Sequence, residues 1–534
     1  MSAHPSLETG PHDPEHDPRA ALKLEPAYAQ SLTSRVVSST GRSVDVSSPI
    51  DGAPLASIPQ SDESDVAEAY DRARAAQPAW AAMSYAERGK VLLDLHDLIL
   101  DRQVEIIDMI CLESGKARKN AFDETLHVAL TARYYGRTLG KHLRSERKLG
   151  AIPIATRIDL NHVPKGVVGV ISPWNYPFTM ALSDGIAALA AGNTVVTKPD
   201  AQTMLTALLG AQLLEDAGLP KDCWNVVAGP GRELGTPMIQ RSDYVQFTGS
   251  TATGKIIATQ CAELLIGCSL ELGGKNPFLV LADADVDRAV EGAMRAAFGN
   301  SGQLCVSSER FYVHEDVYDE FSAKFVERTE AMHLEASLRW ESDMGSLISQ
   351  DQIDTAVDHT EDARSKGATV LTGGNLRTDL SPFYFEPTIM EGVTPDMKAF
   401  GDETFGPVVS LYRFSDEDEA VELANSGEYG LNGSVYTRDT ARGRDVARRI
   451  KCGTVNVNEA YAATFGSIDS PMGGMRESGM GRRQGAEGIL RFTESQSVAT
   501  QRFMRFAPML GMSEKQYAQF MTVSLRALKA IRRA

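Results

Sequence analysis

Between about residues 62 and 140, apolar side chains recur three and four positions apart, as in Val91, Leu92, Leu95, Leu98 and Ile99. That period predicts helices with one face turned to a core. Further along, the rhythm changes. Short β-branched runs at 167–172, 194–197, 224–228, 244–248 and 269–272 alternate with helical stretches such as 204–217 and 253–265. Strand, helix, strand, repeated with short connections, predicts a parallel sheet covered on both faces. Sheets of that kind bind ligands beyond the carboxyl ends of their strands. A second alternating region occupies 277–458. Its candidate strands are 278–281, 311–314, 369–372, 408–412, 433–436 and 454–456, separated by helices such as 318–332. At 534 residues the chain is too long for one compact core. Two α/β domains are expected, meeting near Gly273-Gly274, and there is no internal repeat.

Composition narrows the function classes. A net charge of −17 argues against a broad nucleic-acid surface, which needs Lys and Arg in excess, so a small-molecule partner is expected. The six cysteines form no CxxC pair and are scattered, which reads as the reduced thiols of a cytoplasmic protein. All but Cys305 are taken as small buried apolar residues. The ten histidines show neither HxH nor HExxH spacing, so no metal site is expected. His4, His12 and His16 lie among prolines and acids in residues 1–26, which lack the basic and then apolar run of a signal peptide and read as a mobile arm. No stretch reaches the about 18 uninterrupted apolar residues of a membrane span.

Two glycine clusters, Gly229-Pro-Gly-Arg-Glu-Leu-Gly235 and Gly249-Ser-Thr-Ala-Thr-Gly254, each follow a predicted strand and open a helix. Glycines there let a backbone approach a pyrophosphate, although strand-to-helix turns also use glycine for steric reasons alone. More specific are four segments: Pro173-Trp-Asn-Tyr-Pro177, Leu270-Glu-Leu-Gly-Gly-Lys-Asn-Pro277, Phe298-Gly-Asn-Ser-Gly-Gln-Leu-Cys305 and Glu403-Thr-Phe-Gly-Pro407. Through these motifs, in order and at plausible separations, residues from about 45 to 500 resemble the aldehyde dehydrogenase superfamily.

The resemblance implies a mechanism that the residue types suit. An aldehyde has no tetrahedral C–H to give until a nucleophile adds, and a thiolate at Cys305 would form a thiohemiacetal and, after hydride loss, a thioester. Asn175 and the cysteine's backbone N–H match the donors for the oxyanion. Glu271 matches the general base for the water that releases the acid. Relatives that pass the acyl group to coenzyme A typically lack that glutamate, which favours hydrolysis. The implied cofactors are NADP and NAD, held by Ile171, Trp174, Asn175, Lys198, Ala201, Gly231, Gly249, Ser250, Leu272, Glu403 and Phe405. Ala201 stands where many NAD-preferring relatives carry a glutamate that repels a 2′-phosphate, and Lys198 remains beside it, so NADP is expected to be accepted.

Within the superfamily, residues 164–177, Pro471-Met-Gly-Gly-Met475, Gly481-Arg-Arg-Gln-Gly485 and Thr493-Glu-Ser-Gln496 are most similar to actinobacterial succinate-semialdehyde dehydrogenases, which implies oxidation of succinate semialdehyde to succinate. The two arginines that better-known members use for the substrate carboxylate align with Ser183 and Gly299 here. Ser467, Arg137 and His127 are the substitutes considered, with Arg133 beside them, although a solvated helix face also accounts for the arginines. A neutral aliphatic or aromatic aldehyde is the alternative substrate. A cofactor-independent cysteine esterase or a catalytically silent binding protein are the alternative classes.

The implied fold is that of the family: a Rossmann-like cofactor domain (46–155 and 166–272), an α/β catalytic domain (273–465), and oligomerisation strands in a bridging segment (156–165 and 466–505). A flexible arm (1–45) precedes these and a basic amphipathic tail (506–534) follows. Protomers are expected to pair through strands near 155–161 and 496–502 into a homodimer or homotetramer. The tail, with Lys515, Arg526, Lys529, Arg532 and Arg533 against Glu514, suits a neighbouring acidic subunit better than an anionic membrane.

Overall fold

A computed structural model describes residues 7–9, 22–152, 155–503, 505–509 and 511–530. Residues 1–6 and 10–21 of the expected N-terminal arm, with His4, His12 and His16, lie outside the described residues, as do 531–534 of the tail. The chain forms two compact units. One comprises residues up to His142 together with Pro164–Phe492, and the other comprises Leu143–Val163 and the segment from Thr493.

After a short helix at Pro26–Thr33 and a strand pair at Ser43–Ser47 and Pro54–Pro59, the larger unit has four helices over the region of helical period: α1 (Glu63–Ala82), α2 (Tyr85–Asp101), α3 (Gln103–Ser114) and α4 (Arg118–Leu143). Asp62 and Ser84 start α1 and α2 with reciprocal capping boxes, each satisfying first-turn amides that the helix leaves unpaired. Val91, Leu92, Leu95 and Ile99 form the buried face of α2.

A six-stranded sheet follows: β1 (Val167–Ile171), β2 (Thr194–Lys198), β3 (Trp224–Val226), β4 (Tyr244–Thr248) and β5 (Gly267–Glu271), with a late edge strand that joins after the second sheet. Between these strands run α5 (Pro177–Ala190), α6 (Met204–Asp216), α7 (Gly231–Arg241) and α8 (Thr251–Glu263). The helix expected at 253–265 begins two residues earlier because the Ser250 hydroxyl accepts from Thr253 N at 3.4 Å and caps it.

The second sheet comprises β6 (Asn276–Val280), β7 (Ser308–His314), β8 (Thr369–Thr372), β9 (Thr388–Glu391), β10 (Val408–Phe414), β11 (Asn432–Tyr436) and β12 (Thr454–Val457). Helices α9 (Val286–Phe298) and α10 (Glu315–Glu330) cover one stretch of it. The edge strand of the first sheet is β13 (Gly479–Met480). The strand orders are β13-β5-β4-β1-β2-β3 and β8-β9-β10-β7-β6-β11-β12. All neighbours are parallel except β13 with β5 and β8 with β9. β1, β2 and β6 are buried at every residue, as the apolar runs require of strands covered on both faces.

Strand order reverses between β1 and β4, and at such a point the connections leave to opposite sides and open a crevice at the strands' carboxyl ends. The chain first passes from one sheet to the other through the short segment from Glu271 to Asn276, at the expected boundary, and returns through 458–478 to β13.

In the smaller unit, Glu146–Lys148, Thr156–Pro164 and Thr493–Gln501 form a three-stranded sheet with Thr156–Pro164 at its centre. Residues 466–492, grouped by sequence with that bridging segment, belong instead to the larger unit. Arg483 is buried there and donates to Asp184 at 2.8 Å, and β13 extends the first sheet. The tail forms a helix over Glu514–Ala530 that leaves Phe520, Val523, Leu525 and Leu528 exposed. No helix among the described residues is long and apolar enough to cross a membrane, and none of their side chains cluster as a metal site.

Candidate active site

The crevice at the β1/β4 reversal is a cleft of about 750 Å³. Its walls come from the ends of β1 (Pro173, Trp174, Asn175), β4 (Thr248, Gly249, Ser250) and β5 (Glu271, Leu272, Gly273), and from Cys305, Glu403 and Phe405. Nine of the residues singled out from sequence thus meet in one place. Ile171 ends β1 just below.

Asn175 is held at both ends. Lys116, buried and paired with Glu124, donates to the Asn175 carbonyl at 2.7 Å, and Asn300 Nδ2 donates to the same oxygen at 3.1 Å. Glu124 also accepts from Phe178 N and Thr179 N at 3.0 and 3.1 Å, so its carboxylate neutralises the first turn of α5. The Asn175 amide donates one hydrogen to Gln303 O at 3.1 Å, which fixes its plane and leaves its second hydrogen for a ligand. If that hydrogen stabilises an oxyanion, Asn175→Ala should lower kcat about 10²–10³-fold with Cys305 still alkylated at its normal rate, as steady-state and labelling kinetics would read.

The approach to Cys305 is strained. Asn300 (φ 51°), Ser301 (φ 56°) and Gly302 (φ 72°) all lie in the left-handed region, and two of them carry side chains that disfavour it. Asn300 N donates to Asn120 Oδ1 at 3.1 Å, Ser301 Oγ to Gly345 O at 2.9 Å, and Ile348 N to Gln303 Oε1 at 3.1 Å. A side chain at Gly302 would collide with the Gly406 carbonyl. These bonds hold the turn that presents Cys305, whose own carbonyl accepts from Asn276 Nδ2 at 2.8 Å.

Burial pushes the Cys305 thiol up to about 12, with the Glu271 carboxylate adding to the shift. Burial likewise raises Glu271 to about 7, and Arg483 partly offsets that rise. Glu271 Oε1 is buried with no hydrogen-bond partner, a carboxylate oxygen left for something that enters the cleft. Glu403 is raised to about 8 by burial and accepts from Gly274 N at 2.7 Å. Glu309, paired with Lys275, accepts from Thr404 N and Phe405 N at 3.0 Å and fixes the segment that carries Glu403. Trp174 and Phe405 meet edge to face at 5.5 Å.

Lys198 is buried at the end of β2. Its Nζ faces only the Pro199 and Gly229 carbonyls, at 3.3 and 3.4 Å. Asp200, the nearest acid in sequence, caps the turn at Ala201, accepting from Gln202 N at 3.0 Å, and acts on Lys198 through its charge without pairing directly with it. Gly231 opens α7 with free space where a side chain would sit. A buried cation without a carboxylate partner, the α8 N-terminus at Gly249-Ser250, and flat apolar walls at Leu272, Trp174 and Phe405 fit a dinucleotide with a negatively charged phosphate-bearing end.

The predicted substrate residues separate. His127 lines a second cavity of about 520 Å³ with Asp123, Tyr176, Arg295, Leu304, Tyr461 and Phe465. Cys305 lies close enough to Tyr176 for its charge to act on that hydroxyl, and its neighbour Leu304 lines the cavity, so the cavity adjoins the cysteine. His127 stacks on Phe465 at 4.2 Å, and burial holds its pKa down to about 3. With Gln484 Nε2 donating to its Nε2 at 3.1 Å, the neutral ring donates from Nδ1 to Ser183 Oγ at 3.3 Å. It is a wall and not a cation. Arg137 and Arg133 are exposed on α4 and do not line this cavity, because the face of α4 that carries His127 turns inward and theirs turns outward. Ser467 is also exposed, its hydroxyl spent on Ala463 O at 2.6 Å, one residue beyond the cavity wall at Gly466. The cation that does line the cavity, Arg295, went unremarked in the sequence, where it reads as an ordinary basic residue in the last turn of α9.

The aldehyde dehydrogenase family pattern matches residues 36–498. A Mycolicibacterium smegmatis protein provisionally named succinate-semialdehyde dehydrogenase [NADP(+)] is 49% identical over 480 residues, covering 90% of this chain and 93% of its own. Succinate-semialdehyde dehydrogenase [NADP(+)] 1 of Schizosaccharomyces pombe is 37% identical over 87% of this chain and 93% of its own. The NAD+ complex of an aldehyde dehydrogenase from Bacillus cereus superposes with a TM-score of 0.84 at 33% identity, covering 90% of this chain and 99% of that one.

Proposed function

The chain belongs to the aldehyde dehydrogenase family, and from that premise we propose that it oxidises succinate semialdehyde to succinate, with NADP used in preference to NAD. The observation that carries the reaction type is the convergence of Cys305, Glu271 and Asn175 on one cleft, with an unpartnered Glu271 oxygen and a part-buried thiol among its walls. The substrate reading is supported by the names of the two relatives above and by a cation in the adjoining cavity.

In this reading the Cys305 sulfur adds to the aldehyde carbon. The thiol proton leaves to Glu271 or to water, and the carbonyl oxygen becomes an oxyanion held by the free Asn175 hydrogen and a backbone N–H. A bound nicotinamide would supply the hydride acceptor, and the tetrahedral carbon loses its hydride as the oxyanion collapses. A thioester on Cys305 remains. Glu271 removes a proton from water, the water oxygen bonds to the acyl carbon, the C–S bond breaks, and succinate departs as the sulfur regains a proton. Glu403, Trp174, Leu272 and Phe405 would hold the nicotinamide end, Gly249 and Ser250 the pyrophosphate, and Lys198 beside Ala201 the adenine ribose.

The sheet that ends in Lys198 and Glu271 would serve the cofactor, and the sheet of β6–β12 the catalytic cysteine. The three-stranded sheet of the smaller unit is proposed to pair protomers into a homodimer or homotetramer.

The test is formation of reduced nicotinamide with succinate semialdehyde and with butanal, NAD and NADP run side by side. A kcat/KM preference for the carboxylated aldehyde supports the substrate reading. Preference for butanal would keep the chemistry and move the substrate to a neutral aldehyde, which the apolar walls at Leu126, Leu130 and Phe465 also suit. Lys198→Ala should reduce the NADP-to-NAD ratio of kcat/KM about 10–100-fold, the worth of one charge-assisted contact. An unchanged ratio would remove Lys198 from phosphate recognition.

A further inference from the structure

We propose that Arg295, with the Tyr461 hydroxyl, binds the distal carboxylate of the aldehyde substrate, and that Asp123 is the placeholder the substrate's carboxylate displaces. This rests on the proposed use of a carboxylated aldehyde and deepens it by naming what recognises the charge.

Four observations converge. Arg295 is the one cation among the described residues lining the cavity beside Cys305, and it also lines the outer cavity with Lys119 and Arg328. Its guanidinium lies 5.6 Å from the Tyr461 ring centroid and 3.7 Å from Asp123, a contact too long for a well-made charged hydrogen bond. The Tyr461 hydroxyl is buried and approaches Arg295 without an aligned hydrogen bond, and the Tyr176 hydroxyl is buried with none either. Two buried hydroxyls and a loosely paired, half-exposed guanidinium therefore face a cavity otherwise walled by Leu126, Leu130 and Phe465. Buried hydroxyls are normally satisfied, so a ligand with several acceptor oxygens would complete them and take the guanidinium as its counter-charge.

The fourth observation explains the position. A Cβ at Gly299 would lie 2.8 Å from Tyr461 Oη. The tyrosine fills that space. Arg295 precedes Gly299 by four residues, one helical turn, and so projects from the same side of α9. Asp123 opposes an incoming carboxylate while it pairs with Arg295, but it is part-buried, and burial pushes its carboxyl up, so its charge is cheaply given up when a better-aligned anion arrives.

The experiment compares wild type, Arg295→Gln and Arg295→Lys in two readouts: the kcat/KM ratio for succinate semialdehyde over butanal, and inhibition of butanal oxidation by succinate and glutarate. Arg295→Gln is expected to lower the ratio about 10–100-fold, mainly through KM, and to weaken dicarboxylate inhibition by a similar factor. Arg295→Lys should recover part of both. If Arg295→Gln keeps the wild-type ratio and the wild-type inhibition, the Arg295 site is wrong while the substrate reading stands. If wild type shows no preference for the carboxylated aldehyde but is inhibited by dicarboxylates in an Arg295-dependent way, the substrate reading is wrong and the site stands. Neither preference nor inhibition in wild type overturns both.

Discussion

Glu271→Gln should release one equivalent of reduced nicotinamide per active site in a burst and then turn over about 10²–10⁴-fold more slowly than wild type. Thiohemiacetal formation and oxidation need Cys305 and the oxyanion donors, whereas release of the acid needs a base for water. Glu271 suits that role by position and by acidity. It lines the cleft with Cys305, and one of its oxygens has no partner. Burial holds its carboxyl protonated until about pH 7, where an ordinary glutamate would have ionised well below. The deprotonated form is the base, so the deacylation rate of wild type should rise as pH climbs through about 7 and level off above it. The glutamine variant should show no such limb. Stopped-flow absorbance of the reduced nicotinamide gives burst and steady state in one trace. Unchanged turnover, or loss of the burst together with turnover, would remove Glu271 from the release step.

How far this site could be read in advance depended on whether each residue's neighbours are local. Glu271 closes a strand whose apolar run marks it, and the next four residues are the link to the second sheet, so strand end and carboxylate could be placed together. Asn175 follows β1 directly in the same way. β9 went unpredicted, because Thr388–Glu391 is four residues long and gains its strand character from pairing between β8 and β10. Arg295 was missed for a related reason. On α9 it is a basic residue near a helix C-terminus, which normally means a solvated end. Only folding brings Tyr461 and Asp123, more than 160 residues apart, against it. Arg137 shows the reverse error. It shares a helix with His127, ten residues on, but helical rotation sends the two side chains to different faces. The charge that sequence sought on α4 sits across the cavity on α9.

Cys305→Ala should abolish dehydrogenation, on the order of 10⁶-fold, the scale expected when a covalent nucleophile is removed, and with it the burst that Glu271→Gln retains. The contrast separates the two residues: one variant stops before oxidation and the other after it. Folding should survive, since Cys305 is only part-buried at a cleft wall and loses a single sulfur there. Thermal unfolding within a few degrees of wild type would exclude a structural cause. The thiol's chemistry can be followed without substrate. Burial, seconded by the Glu271 carboxylate, raises Cys305 to about 12, so the free protein should be alkylated slowly near neutral pH and faster as pH rises toward that value. Two outcomes in the Glu271→Gln background then divide the roles of the glutamate. Faster alkylation means the carboxylate acts on the thiol mainly by repulsion, and its work lies with water. Slower alkylation means Glu271 also takes the thiol proton, so the same carboxylate serves both halves of the reaction. Residual dehydrogenation in Cys305→Ala near the wild-type rate would instead remove the covalent mechanism altogether.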